Sequence, residues 1–421
     1  MERQVKKKPV ANAYYISIGA ISIFVASYNI AIISVALKPI ENAFQTGTGI
    51  VYLLGALIFV GAMIGAIISG VFSDRFGRVS ILTIDIVTFI GAGIGSALST
   101  NIAMLMFFRT LVGVGVGIDY VVIFTYISEI LATKNSTRNL ALIMFFANFG
   151  ILFSYLIGGT LLTLGSTGWR YALLSGAILA IVPLIMRSRL KESTLWKFKR
   201  IKSIKTILKD VTSRENRKYL YRFSIPWFLY QIGDQSLTMF LPFILISALG
   251  ISVVSGAFSA VLVKAFTIPA SIVAFLIIQR LGTRKLQATG FIIRSVFLGI
   301  LGFGLYFALR FTGIEIIILL GFAFFFGSMG PDKTTVIMPV EKYDESIRGS
   351  GQGFNEMAGR FGGLIGILAF ALFGMAGIDI GLIFLSITCI LGFIITVICR
   401  DKNIVENISK NAKEEYYART K

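Results

Sequence analysis

"GAMIGAIISGVFSDRFGR" occupies residues 61–78. It begins as an apolar run carrying Gly61, Gly65 and Gly70, and it ends in Asp74, Arg75, Gly77 and Arg78. Small residues four apart let two helices approach closely in lipid. A basic turn directly after an apolar run marks where a helix leaves the bilayer. The stretch therefore reads as the end of a transmembrane span and the short loop behind it.

The rest of the chain repeats this pattern. Of its 421 residues 56% are hydrophobic and only 14% are charged, a balance foreign to soluble proteins. A helix needs about 20 apolar residues to cross a bilayer. Twelve such runs are predicted, near 13–38, 49–72, 79–99, 101–128, 139–163, 170–187, 222–248, 252–278, 286–308, 314–338, 350–374 and 378–399. The fold class expected is an all-α membrane protein of twelve spans. No cleavable signal peptide is expected, because the basic start leads into an apolar run too long for one.

The net charge of +19 would suggest nucleic acid in a soluble protein. Here 32 of the 40 Lys and Arg fall in the two termini and the even-numbered connections, 13 of them in 187–222. By the positive-inside rule this places both termini and the 187–222 loop in the cytoplasm. The chain divides into a terminus (1–12), a six-helix half (13–187), a basic linker (188–221), a second six-helix half (222–399) and a tail (400–421). Within the linker "WKFKRIKSIKTIL" has the composition of a basic amphipathic helix on an anionic leaflet. "GVFSDRFGR" (70–78) is echoed weakly by "IIQRLGTRK" (277–285) in the second half.

Several chemistries are excluded by what is missing. The chain has no histidine, and its two cysteines, Cys389 and Cys399, lie together in the last hydrophobic segment. No metal-ligand set, no nucleophile with a histidine base and no nucleotide-binding loop is found, so neither an enzyme nor a cofactor or metal is expected. Any proton chemistry falls to Asp, Glu or Tyr.

The charges inside the spans are the candidate functional residues, since an ionised group in the bilayer interior is costly unless it is paired, neutral or wet. Span four, "RTLVGVGVGIDYVV", carries Arg109 and the Asp119–Tyr120 pair. Ten residues of helix separate Arg109 from Asp119, about 15 Å, so they cannot pair directly. Asp85 in span three lies at a similar depth to Asp119, and two neighbouring carboxylates make a proton acceptor usable near neutral pH. Arg360 in span eleven needs an anion, either Glu356 one turn earlier or a solute. Asp234 and Lys264 share a depth near the midplane and are expected to pair or to approach a central cavity. Arg294 has no evident partner in the sequence.

These segments resemble the phosphate:proton symporter and sugar or metabolite:proton symporter branch of the major facilitator superfamily, most closely at 64–129 and 326–363. The resemblance rests on the loop around Gly70, Asp74, Arg75, Gly77 and Arg78, on Asp119–Tyr120 and Asp85, on Trp227–Phe228–Leu229, and on Gly330–Thr335. It implies proton coupling at Asp119 and Asp85, solute binding at Tyr120, Trp227, Gln231, Gln235, Asp332 and Arg360, and conformational gating at the 70–78 loop. The chain departs from the family's pattern in span one, which reads Ala26, Ser27, Tyr28, Asn29, in Gln231 and Gln235, and in Ser328, Asp332 and Lys333; Arg360 stands where the family has a lysine.

The function implied is proton-coupled symport of a small anionic solute, inorganic phosphate or an organic or sugar acid, across the plasma membrane by alternating access. The rival readings are a neutral-sugar or metabolite carrier, a drug-type efflux carrier and a non-transporting sensor. The partners expected are the solute, protons and the bilayer, with no nucleic acid, and the chain is expected to be monomeric.

Overall fold

The structure, a computed structural model, describes residues 9–131, 136–192, 204–343 and 347–398. Among them every regular element is an α-helix, and twelve stretches are long and apolar enough to cross a membrane. The linker segment 193–203, the tail from 399 and Cys399 lie outside the described residues.

The first half consists of α1 (Pro9–Phe44), α2 (Thr48–Phe76), α3 (Arg78–Ala97), α4 (Ile102–Ile130), α5 (Ser136–Leu162) and α6 (Gly168–Arg187). A short linker helix, α7 (Ile204–Val211), follows, and the end of the predicted amphipathic segment falls within it. The second half holds α8 (Arg214–Leu249), α9 (Val253–Ala265), α10 (Thr267–Leu281), α11 (Thr283–Tyr306), α12 (Gly313–Met329), α13 (Pro331–Lys342), α14 (Arg348–Ala376) and α15 (Ile378–Ile398).

Helix α1 continues six residues beyond the expected end at 38, and Lys38 pairs there with Glu41 one turn on at 3.0 Å. Two spans expected to be continuous are broken. The eighth is split into α9 and α10 near Phe266. Pro269 has no N–H to give the carbonyl of Ala265, which ends the regular ladder there. The tenth is split into α12 and α13 at Gly330 (φ −103°, ψ −96°), because Pro331 pushes the residue before it out of the α region. Both breaks lie inside the membrane-spanning stretches, where interrupted helices expose backbone polar groups to a site.

Glycines set the closest helix contacts. A Cβ at Gly61 or Gly65 on α2 would fall 1.9 and 2.1 Å from the carbonyl oxygens of Thr110 and Val114 on α4, and a Cβ at Gly113 or Gly117 on α4 would fall 2.0 and 2.1 Å from those of Ile58 and Ala62 on α2. The two helices thus touch backbone to backbone, so the glycines of the opening stretch and of span four form one seam. Gly70 packs instead against the second half, where its Cβ would meet the Gly349 carbonyl on α14 at 2.8 Å. A similar seam joins α8 to α14 at Gly362 and Gly366.

Gly117→Val is expected to destabilise the fold by more than the ~1–3 kcal/mol typical of an overpacked site, because the new side chain meets backbone rather than a movable group. Gly91→Ala, at an exposed helical site with nothing within 4 Å, should be neutral or stabilising by up to about 1 kcal/mol. Thermal unfolding of the two purified variants in detergent compares them directly.

Candidate functional site

The charged and polar groups inside the spans gather in five places. The first lies within the first half, where Asp85 of α3 and Asp119 of α4 both meet the guanidinium of Arg187. Nη1 of Arg187 donates to Asp85 Oδ2 (2.9 Å) and to the carbonyl of Leu82 (2.8 Å), Nη2 donates to Asp119 Oδ1, and Nε donates to Ser22 Oγ on α1 (3.3 Å). Asp85 and Asp119 are fully buried and Arg187 is 3% exposed. One oxygen of each carboxylate, Asp85 Oδ1 and Asp119 Oδ2, has no donor. Gly115 makes room for the pair, since a Cβ there would lie 3.1 Å from Asp85 Oδ1.

Arg187 is the residue that the sequence reading missed. It sits in the last turn of α6, at the boundary of the basic 187–222 segment, and counts there as one loop cation among thirteen. Its side chain instead turns back into the helix bundle. Arg109 is likewise fully buried, and its Nε donates to Ser96 Oγ on α3 at 2.9 Å.

The second group closes one end of the molecule. Arg78 Nη2 lies 2.8 Å from Asp74 Oδ1 and 2.9 Å from Glu129 Oε1 of α4, while Nη1 donates to Ser73 Oγ at 3.2 Å. The other oxygen of Asp74 accepts from the backbone N–H (2.8 Å) and hydroxyl (2.6 Å) of Ser350, in the first turn of α14. A carboxylate on the N-terminal N–H groups of a helix is favoured by its dipole. Gly77, with φ +102°, takes a turn that only glycine makes without strain. Arg75 stays outside this network, with its guanidinium 5.1 Å from the Phe76 ring.

The third group joins α4, α8 and α14. Tyr120 shares a hydrogen bond with Ser27 Oγ (2.8 Å), and the Arg360 guanidinium lies 4.4 Å over its ring. Arg360 Nη2 is 3.3 Å from Glu356 Oε2. Trp227 stacks on Tyr230 and faces Gly359, where a Cβ would meet its Nε1 at 2.2 Å. Gln235 Nε2 donates to Gln231 Oε1 (2.8 Å), and Gly363 of α14 lies against Gln235.

The fourth group sits at the broken helices. Asp332 pairs with Lys333 (2.5 Å), and its Oδ2 also accepts from Asn148 Nδ2 of α5 (3.1 Å). Asn148 reaches Ser271 of α10 (3.4 Å) and accepts from Ser328 of α12 (3.2 Å), so one amide touches both interrupted spans. Asn148 escaped the sequence reading; its signal was a polar side chain in an otherwise apolar span five.

Asp234 and Lys264, expected to pair or to approach a central cavity, make no direct ion pair but lie close enough to attract one another. Asp234 pairs with Arg294 (3.2 Å) and accepts from Tyr230 Oη (2.9 Å), and the Arg294 guanidinium lies 4.8 Å over the Tyr230 ring. Lys264 donates to Thr238 Oγ1 (3.2 Å) and lies 3.9 Å over Phe324. The direct contact of Asp234 goes to Arg294 of α11, while Lys264 of α9 acts on it from farther off. Arg294, which lacked a partner in the sequence, thereby gains one.

The end opposite the Asp74–Ser350 contact is also closed between halves, by Tyr52 against Phe240 (5.0 Å, edge to face) and by Gly55 against Met239. Tyr155 of α5 donates to the Thr238 carbonyl at 2.6 Å. The polar residues of the third and fourth groups are at most 9% exposed, so this is an occluded arrangement.

The family described as Major Facilitator Superfamily matches residues 19–336. The chain is 24% identical to the "Probable inorganic phosphate transporter 1-10" of Oryza sativa subsp. japonica, over 95% of this chain and 89% of that protein. It is 25% identical to the arabinose-proton symporter of Bacillus subtilis, over 77% of this chain and 78% of that protein. Its fold is similar to that of the proton:xylose symporter XylE from E. coli bound to 6-bromo-6-deoxy-D-glucose, with a TM-score of 0.80 at 17% identity, over 92% of this chain and 95% of that one.

Arg294→Met removes the cation in direct contact with Asp234 and is expected to cost up to about 3–5 kcal/mol, whereas Asp234→Asn combined with Arg294→Gln should recover most of that loss. Thermal unfolding of the single and double variants measures both.

Proposed function

We propose, from the premise that the chain belongs to the Major Facilitator Superfamily and is a multi-pass membrane transporter, that it moves a small anionic solute together with a proton across the plasma membrane. The two six-helix halves alternate access around the occluded polar centre. Both termini and the linker lie in the cytoplasm, as the Lys and Arg distribution supports.

The observation that carries the proton half of this reading is the meeting of Asp85 and Asp119 in the dry interior of the first half with one cation between them. Two ionised carboxylates and one guanidinium leave one negative charge in a medium that disfavours it. A proton removes that charge, and so lowers the cost of moving the half while the site is closed to water. The family's acid in span one is Asn29 here, so Asp85 and Asp119 carry the coupling.

The solute half rests on Arg360. Its Nε has no hydrogen-bond acceptor among the described residues, and its Nη2 meets only Glu356 Oε2, at 3.3 Å. Buried donors without acceptors are costly, and a carboxylate or phosphate satisfies several at once through charge-assisted hydrogen bonds. Tyr120, Gln231 and Gln235 line the same junction and contribute neutral polar contacts. Gly70, Asp74, Gly77 and Arg78 form the gate at the end of α2, which opens when Asp74 releases Ser350. A second reading, a neutral or zwitterionic metabolite, is favoured by the internal balance of Asp332–Lys333 and Glu356–Arg360.

A thermal-shift series of phosphate, carboxylates, sugar acids and neutral sugars on the purified protein separates the two. A solute at a hundred times its Kd stabilises the folded state by about 2.7 kcal/mol. Phosphate or an acid is expected to stabilise the protein and Arg360→Gln to remove the effect; stabilisation by a neutral sugar that Arg360→Gln leaves intact establishes the second reading instead. In proteoliposomes, with the stabilising solute, Asp119→Asn should abolish acid-driven uptake, and full retention of that uptake rejects the coupling role.

A further inference from the structure

We infer that Arg187 limits the Asp85–Asp119 pair to a single proton and ties that proton to the packing of α6 on its neighbours. The inference rests on the reading that this pair binds the coupled proton, and adds what sets its stoichiometry.

The geometry leaves little freedom. The Arg187 guanidinium reaches both carboxylates, the Leu82 carbonyl and Ser22 Oγ, so one side chain of α6 bonds to α1, α3 and α4. Its side chain is 2% exposed, which excludes a cation that merely extends to the membrane surface. The other charges of the surrounding helices are engaged elsewhere. On α4, Arg109 Nε donates to Ser96 while its Nη1 and Nη2 have no acceptor among the described residues, and Glu129 meets Arg78; on α2 and α3, Asp74 and Arg78 pair with each other, and Glu192 after α6 accepts from the backbone N–H groups of Arg78 and Val79. Among the tyrosines, Tyr120 bonds to Ser27, Tyr28 to Ser175, Tyr14 to the Met186 carbonyl and Tyr126 to the Lys191 carbonyl. Helix α5 offers Arg138 at its far end, stacked on Phe275.

Charge counting then decides the stoichiometry. With both acids ionised the site carries one net negative charge, with one proton it is neutral, and with two it carries one net positive charge. In a buried site the neutral state is preferred over either charged one. The proton enters on Asp85 Oδ1 or Asp119 Oδ2, the two oxygens that Arg187 and the backbone leave without donors. Once it is bound, Arg187 faces one carboxylate and one carboxylic acid, so one of its two ion pairs, to α3 or to α4, is weakened. The proton thereby changes how firmly α6 is held.

The test needs no solute. Purified full-length protein in lipid nanodiscs is titrated from alkaline to acid pH while the infrared band of protonated carboxyl groups is recorded, with protons as the probe. Asp85→Asn and Asp119→Asn identify which part of the band belongs to the site. Wild type is expected to gain one protonated carboxyl in this pair across the neutral range. Arg187→Gln should gain two, the first at a pH higher by about one unit or more, a tenfold rise in proton affinity; Arg187→Lys should restore a single one. A purely structural role would lower yield or Tm but leave the count and midpoint unchanged, and that result overturns the inference.

If Arg187→Gln does not fold, Asp119→Asn decides the matter. One carboxylate facing one guanidinium is already neutral, so the Asp85 signal should vanish from the neutral range; its persistence at the wild-type midpoint overturns the inference. A wild-type pair that takes up no proton at all refutes the coupling reading itself, whereas a wild-type pair that titrates while Arg187→Gln behaves identically refutes only the role of Arg187.

Discussion

Lipid offers no hydrogen bonds, so an ionised side chain in the interior of this protein is costly unless it is matched within the protein. Much of the architecture follows from that constraint. Arg78 stands between Asp74 and Glu129, Arg294 meets Asp234 beside Tyr230, Arg360 lies between Glu356 and the Tyr120 ring, and Arg187 holds Asp85 and Asp119. Arg78 and Arg187 each meet two acids, but Asp74 also accepts from the first-turn N–H of Ser350 on α14, whereas Asp85 and Asp119 each keep one oxygen without a donor. On the proposed reading, a proton taken up by Asp85 or Asp119 changes how firmly Arg187 holds the surrounding helices.

Close packing is what brings these groups within reach. The four glycines at 61, 65, 113 and 117 let α2 and α4 touch backbone to backbone, which fixes the height of Asp119 relative to the charged end of α2. Gly115 belongs to the same run but faces α3, where it leaves room for Asp85 and Phe89. Alternate glycines of one helix thus serve two purposes, helix contact on one face and space for a carboxylate on the other. Between the halves, Gly70 and Gly349 allow Asp74 to meet the start of α14, so a contact made by small residues places a charge on a helix N-terminus.

The second half is less regular, and its irregularities coincide with polar groups. Spans eight and ten are interrupted near Phe266 and Gly330, and Asn148 from the first half bonds to Ser271, Ser328 and Asp332 beside those breaks. Proline is the local cause in each case. The first half supplies tightly packed helices with an acid pair inside them, and the second supplies broken helices with paired charges.

The sequence by itself determined the number of spans and which of them carry charges inside, because both are written in local hydropathy and spacing. A run of about 20 apolar residues and a charge inside it are visible without knowing any neighbour. Which charge meets which was decided only by the tertiary structure. Asp234 and Lys264 lie at one depth yet make no direct ion pair, Arg294 pairs although the sequence offered it no partner, and Arg187 sits at a position that reads as loop. The physical reason is that depth follows from counting residues along a helix, whereas the direction of a side chain follows from the rotation of each helix about its axis. Packing against neighbouring helices sets that rotation, and hydropathy does not encode it.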